Sequence, residues 1–319
     1  MIQYVIRRLV LIVPTIWILT LVVFFLMRML PGDVAAVIMG EEVGARTSSG
    51  YTVDALRERL GINKPLHIQY LSWLWDTARG DLGVSLLTGR PVIQDIIQRF
   101  PITFELALLA QLLSLGVGIP VGIISAVKQN SWPDLLLRFW TIFFLAAPSF
   151  WLGLMVILLG AIWFNWIPSL GYNTLWAHPT ENISQLIWPS IILALSGLAT
   201  IARMTRSTML EVLREDYIRT ARAKGLREQV VVYRHALKNA MIPVLTLAGL
   251  SFASLMGGAV ILEQVFGIPG MGVFFIQAIR SQDYPVVQSV VVVFALIFMF
   301  TNLIIDLLYG WFDPRISYA

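Results

Sequence analysis

Six charge-free apolar stretches constrain this chain more than any other feature. Leu9 to Met27, Leu106 to Val127, Phe139 to Asn165, Asn182 to Ala202, Asn239 to Leu262 and Tyr284 to Ile305 contain no Asp, Glu, Lys or Arg. Each approaches or exceeds the roughly 20 residues a helix needs to cross a bilayer. In lipid the backbone must satisfy its own hydrogen bonds, so stretches of this length become helices. The expectation is an all-α integral membrane protein with six transmembrane helices. Composition agrees: 13% of the 319 residues are charged, where a soluble domain carries about a quarter.

The loops orient the spans. Between the fourth and fifth lie nine of the 23 Lys and Arg: Arg203, Arg206, Arg214, Arg219, Arg222, Lys224, Arg227, Arg234 and Lys238. Basic residues near span ends stay on the cytoplasmic side, and Arg7, Arg8, Lys128, Arg138 and Arg315 fall on that same side when six spans alternate. Both termini are then cytoplasmic, in a bacterial or archaeal plasma (inner) membrane. The organisation expected is an N-terminus and first span over 1–30, a long extracytoplasmic segment over 31–99, and a five-helix core over 100–319. Met1 to Arg8 followed by an apolar run is like a signal peptide, but Leu30-Pro31-Gly32-Asp33 follows in place of a small-residue cleavage site, so an uncleaved span is expected.

Absences narrow the function. Lys64, Lys128, Lys224 and Lys238 are the only lysines and none follows a glycine, so the chain lacks a phosphate-loop ATP site. No predicted span carries Asp or Glu near its midpoint, which disfavours an ion-coupled carrier; Glu105, Glu263 and Asp306 sit at span ends. His67, His178 and His235 form no metal pair, and zero cysteines exclude thiolate chemistry. The net charge of +4 is explained by topology and needs no nucleic acid. No cofactor or metal site of this chain's own is expected.

Local signals fill in the loops. Asp216 is placed to cap a helix over Tyr217 to Lys224 with Gly225 as its left-handed stop. Glu215 and Arg219 stand at i and i+4 and are expected to pair. A second helix is expected from Glu228 toward Met241, with Pro243 opening the fifth span. On the outer side Val53 to Leu60, Ile68 to Ala78 and Val92 to Arg99 have helical spacing. Trp163, Trp166, Trp176 and Trp188 crowd the outer interface as an aromatic belt. Pro14, Pro120, Pro148 and Pro189 fall in or near spans; broken helices in a translocation path are one reading, and ordinary kinks in a packed bundle are preferred. Gly267, Pro269, Gly270, Met271 and Gly272 make a turn-rich outer loop, a candidate gate or partner contact.

At the basic segment the chain resembles the permease subunits of ATP-binding-cassette importers. Their signature is a short Glu-Ala-Ala helix followed three residues later by glycine. Here Arg219-Thr220-Ala221-Arg222-Ala223-Lys224-Gly225 keeps the last alanine and the glycine, a pattern similar to the oligopeptide, dipeptide and nickel branch. Gly80-Asp81-Leu82-Gly83, His235-Ala236-Leu237-Lys238-Asn239-Ala240, Pro269-Gly270-Met271-Gly272 and Asp313-Pro314-Arg315 extend the resemblance along the chain.

The resemblance implies a complex with four kinds of partner. They are a second homologous permease subunit, two ATP-binding subunits that hold ATP and Mg, an extracytoplasmic substrate-binding protein, and the lipid bilayer. Asp216, Tyr217, Arg219, Thr220, Ala221, Arg222, Ala223, Lys224 and Gly225 would couple to an ATPase. Alternating access would then import di- or oligopeptides. A carrier or channel working without ATP is the alternative, and an embedded structural subunit a third reading.

Overall fold

The computed structural model describes residues 2–29, 64–169 and 171–312. Helix α1 covers Ile2–Met29 and α2 Leu66–Ala78. Helix α3 runs Val92–Val127, α4 Trp132–Ala146, α5 Ser149–Phe164, α6 Pro179–Val212 and α7 Asp216–Ala223. Helix α8 is the continuous run Glu228–Phe266, and α9 Met271–Arg280 and α10 Tyr284–Phe312 complete the order. Apart from an isolated bridge between Val84 and Pro91, the described residues are helices and their connections. Four of the helices, α3, α6, α8 and α10, are long and apolar enough to cross a membrane. The expected helix over Val53 to Leu60 lies outside the described residues.

Three expected boundaries are corrected. The third span, Phe139 to Asn165, is not one helix: α4 and α5 are bent by 102° about Ala147 and Pro148. The ring of Pro148 disfavours helical backbone at the residue before it, and Ala147 is extended at ψ 126. Proline here breaks the helix and does not merely kink it. Helix Val92 to Arg99 and the second span fuse into α3, which passes through Pro101 and Pro120. The separate helix expected from Glu228 and the expected fifth span also fuse. Pro243 lies inside α8, so only the turn Val231–Ala236, wound as a π-helix, marks the transition.

The chain forms two compact units. In residues 102–272, α6 packs against α4, α5 and α8. Small residues let α3 approach α6: a Cβ at Gly122 would lie 2.5 Å from Thr205 Cβ and one at Gly197 2.8 Å from Ser114 Oγ. That is how helices associate where water supplies no driving force. Ser114 also donates to the Ala194 carbonyl at 2.9 Å.

In residues 2–101 with 273–299, Thr20 of α1 and Tyr70 of α2 share a buried hydrogen bond of 3.0 Å. The Phe24 ring packs edge-on against Tyr70 at 5.3 Å. The Gly80-Asp81-Leu82-Gly83 motif is a turn with both glycines at positive φ, and Asp81 Oδ1 accepts the Gly83 N–H at 2.9 Å. Asp283, just before α10, accepts Ser85 Oγ at 2.5 Å and the Leu86 N–H at 3.2 Å. The motif thus anchors this connection on the start of α10.

Candidate functional site

Helix α7 is an amphipathic element packed within the 102–272 unit. Its apolar pair, Ile218 and Ala221, is three residues apart and therefore on one face; both are buried, Ile218 completely. They enter a cluster with Ile123 and Ala126 of α3, Met209 of α6, and Val231, Val232, Ala236 and Ala240 of α8. Every other residue from Asp216 to Gly225 is exposed. Burying Ile218 fully is worth roughly 1.5–3 kcal/mol, which holds so short a helix in place. Tyr217 adds a tether, its hydroxyl accepting from Asn239 Nδ2 of α8 at 2.7 Å.

The ends differ from expectation in detail. Glu215, not Asp216, occupies the N-cap position, and its side chain makes no capping bond. Arg219 pairs with Asp216 at 3.3 Å and not with Glu215, an exposed contact of little energetic weight. Arg222 reaches Glu228 with two hydrogen bonds, 3.1 and 2.6 Å. Those bonds hold the Arg222 guanidinium charged above its ordinary range, and they close the loop between α7 and α8.

The C-terminal stop is as expected. Gly225 has φ +78, its N–H reaches the Arg222 carbonyl at 2.9 Å, and the Leu226 N–H reaches Ala221 at 3.4 Å. This is a Schellman end, which glycine favours. A valine there meets no steric wall, since nothing lies within 4 Å of the added Cβ, but must adopt left-handed backbone at about 1–2 kcal/mol. Gly225→Val is expected to loosen the α7–α8 turn while the protein stays folded. Faster proteolysis at Gly225–Glu228 with a fall of only about a few degrees in melting temperature checks it.

Two polar contacts that the sequence reading missed brace this unit. Asp134 in the first turn of α4 is fully buried. It accepts Arg206 Nε and Nη2 of α6 at 3.0 Å each, the Asn130 N–H at 3.0 Å and the Ser125 hydroxyl of α3. Arg138 lies 3.6 Å from the same carboxylate. One carboxylate so ties three helices. Its sequence signal was faint, a single acid among flanking cations.

Glu263, expected at a span's edge, is likewise completely buried, near the end of α8. Its Oε1 accepts the Thr103 hydroxyl at 2.5 Å, and Thr103 in turn accepts the Met271 N–H at 2.8 Å. Gly267 ends α8 in left-handed backbone. Pro269 and Gly270 turn the chain, and Met271 and Gly272 already belong to α9. A Cβ on Gly270 would sit 2.2 Å from Glu263 Oε1, and one on Gly272 2.5 Å from Val260 Cα. The Pro-Gly-Met-Gly run is therefore packed back on Glu263 and α8.

A family model described as binding-protein-dependent transport system inner membrane component matches residues 118–318. The chain belongs to that family. A second model, for the N-terminal part of such membrane components, matches residues 1–107. Among relatives, the dipeptide transport system permease protein DppB of Alkalihalophilus pseudofirmus is 42% identical over the whole of both chains. A putative peptide transport system permease protein of Brucella suis is 40% identical over 98% of both. The glutathione transport system permease protein GsiC of Pectobacterium atrosepticum is 39% identical over 100% of both.

The fold is also that of a chain in inward-facing structures of the MetNI methionine ABC transporter, with a TM-score of 0.59 and 17% identity. The match covers 70% of this chain and 98% of that one. This permease is thus a multi-pass inner-membrane transport component and not an enzyme. Family membership replaces the alternative of a carrier or channel working alone.

Proposed function

We propose that this permease forms half of the pore of an ATP-driven importer of di- or oligopeptides. A second homologous permease completes the pore, two ATP-binding subunits dock on the cytoplasmic face with ATP and Mg, and an extracytoplasmic protein delivers substrate. Six spans fit the apolar helices: α1, whose Ile12–Leu26 portion is apolar, then α3, the bent pair α4–α5, α6, α8 and α10. Both termini are then cytoplasmic, α7 lies on the ATPase side, and the Gly267–Gly272 connection lies outside near the delivering protein.

The observation that carries the mechanism is α7 itself. A helix anchored by Ile218 and Ala221 to α3, α6 and α8 leaves Tyr217, Arg219, Thr220, Arg222 and Lys224 outward. A subunit gripping that polar face would pull on three spans at once, and ATP-driven closure of the two ATPases would reorient the pore. Its cation-rich face fits a partner groove of acidic or hydrogen-bond-accepting character.

Affinity purification of the tagged permease from its own membranes, in mild detergent, tests the assembly. Recovery of a second permease and ATPase chains is the expected result; a lone, uptake-competent chain would overturn it. Arg219→Glu with Arg222→Glu reverses the charge of the face without touching the buried pair. It is expected to lower ATPase recovery at least tenfold with helix content intact. Full recovery would place docking elsewhere.

A further inference from the structure

Glu105, Tyr172 and Asn182 converge at one end of the 102–272 unit: Glu105 on α3, Tyr172 in the connection between α5 and α6, and Asn182 in the first turn of α6. The Tyr172 hydroxyl donates to Glu105 Oε2 at 2.6 Å. Asn182 Nδ2 donates to the same oxygen at 3.3 Å and to the Asn173 carbonyl at 2.8 Å. Two acceptors on that nitrogen fix which way the amide is turned, so its other atom is Oδ1. Asn182 is completely buried, yet its Oδ1 accepts no hydrogen bond among the described residues. Glu105 Oε1 accepts none among them either.

The surroundings reinforce the imbalance. Asn173 donates its side-chain amide to Glu181 Oε2 at 2.7 Å and its N–H to Gln185 Oε1 at 2.9 Å. Burial first, and the Glu105 carboxylate next, hold the Tyr172 hydroxyl above its ordinary range, so its proton stays on the phenol. None of the ion pairs among the described residues involves Glu105 or Glu181. The cluster therefore holds carboxylates and spare acceptors, and the Tyr172 hydroxyl and both Asn182 Nδ2 hydrogens are already used. Glu105 and Tyr172 are only partly buried, which leaves the carboxylate open to the surface.

A buried amide oxygen without a donor costs about 1–3 kcal/mol, so a ligand that supplies N–H groups gains from entering. A primary ammonium carries three donors, a positive charge and no acceptor, and its bonds to a carboxylate are charge-assisted. An anion is repelled, and a quaternary ammonium has no N–H to give. We propose that Glu105 and Asn182 form a binding site for a primary ammonium group. On the peptide-import reading above, on which this extension rests, the ligand is the free amino terminus of the peptide in transit.

The test uses the complete transporter as purified, in nanodiscs. L-alanyl-L-alanine and methylammonium are expected to raise its melting temperature saturably, and Nα-acetyl-alanyl-alanine and tetramethylammonium at equal concentration are not. Glu105→Gln keeps the shape and removes the charge, and should weaken both amines at least tenfold. Tyr172→Phe removes a competing donor and should keep binding within about threefold. Stabilisation by the acetylated peptide, by tetramethylammonium or by calcium in place of the amines would overturn the site. So would unchanged amine affinity in Glu105→Gln, or equal loss in Tyr172→Phe. ATP-driven uptake of labelled alanyl-alanine into proteoliposomes separates the two claims. No uptake with amine binding intact refutes peptide import and leaves the site standing; uptake with the same KM in Glu105→Gln refutes the site's part in transit.

Discussion

Asp134→Leu is expected to destabilise the permease by about 3–5 kcal/mol, seen as a large loss of folded, monodisperse protein after detergent extraction. The carboxylate is fully buried and receives two bonds from Arg206, one from the Asn130 N–H and one from Ser125. Removing it strands the guanidinium of Arg206, whose side chain is 20% exposed, beside that of Arg138. Breaking one side of a buried pair costs about that much because the remaining charge has left water for nothing. Partial exposure of Arg206 places the effect toward the lower end.

The companion experiment separates charge burial from simple packing. Asp134→Leu with Arg206→Met replaces both partners by apolar groups of similar size, which is often near neutral. The double variant should recover most of the lost stability, giving a coupling energy well above the few tenths expected of independent sites. A double variant as unstable as the single one would mean that Ser125 and Asn130, not the ion pair, carry the junction of α3, α4 and α6.

Gly270→Ala is the second large effect. The added methyl would lie 2.2 Å from Glu263 Oε1 and 2.3 Å from its Cδ. That carboxylate is not the free end of a flexible chain; Thr103 holds it, and Thr103 also receives the Met271 N–H. Overpacking of this kind costs roughly 1–3 kcal/mol, and leaving a buried polar group without its hydrogen bond adds about 1–3. A fall in melting temperature with parallel loss of uptake is expected. Gly257→Ala, inside α8 and with open space around the added methyl, serves as the control and should melt at or slightly above the parent. If Gly270→Ala melts with that control, Glu263 is mobile and the loop is not packed upon it.

These two clusters mark the limit of what sequence carries. The apolar stretches led directly to α3, α6, α8 and α10, because a charge-free run of bilayer length has few other ways to satisfy its backbone. The short helix at 216–223 and its stop at Gly225 were equally legible, since a left-handed glycine stop is local physics, although the expected Asp216 cap was not the one used. The family was readable from motifs spread along the chain, and the family models then matched residues 1–107 and 118–318.

The break at Ala147–Pro148 could have been anticipated from the restriction on a residue before proline, but the same signal failed at Pro101 and Pro243. Those two prolines stay within α3 and α8. Local rules could not tell a broken helix from an uninterrupted one, because neighbouring helices decide whether a freed carbonyl is tolerated.

By itself, then, the sequence determined that this chain is helical, spans the membrane several times and presents a basic, glycine-terminated helix between two spans. Only the tertiary structure decided what Asp134, Glu263 and Asn182 do. Their partners lie 72, 160 and 77 residues away along the chain, and a carboxylate's role depends on which donors and how much water surround it. Period and propensity report on the backbone within a few turns; the environment of a single buried polar group is assembled from elsewhere.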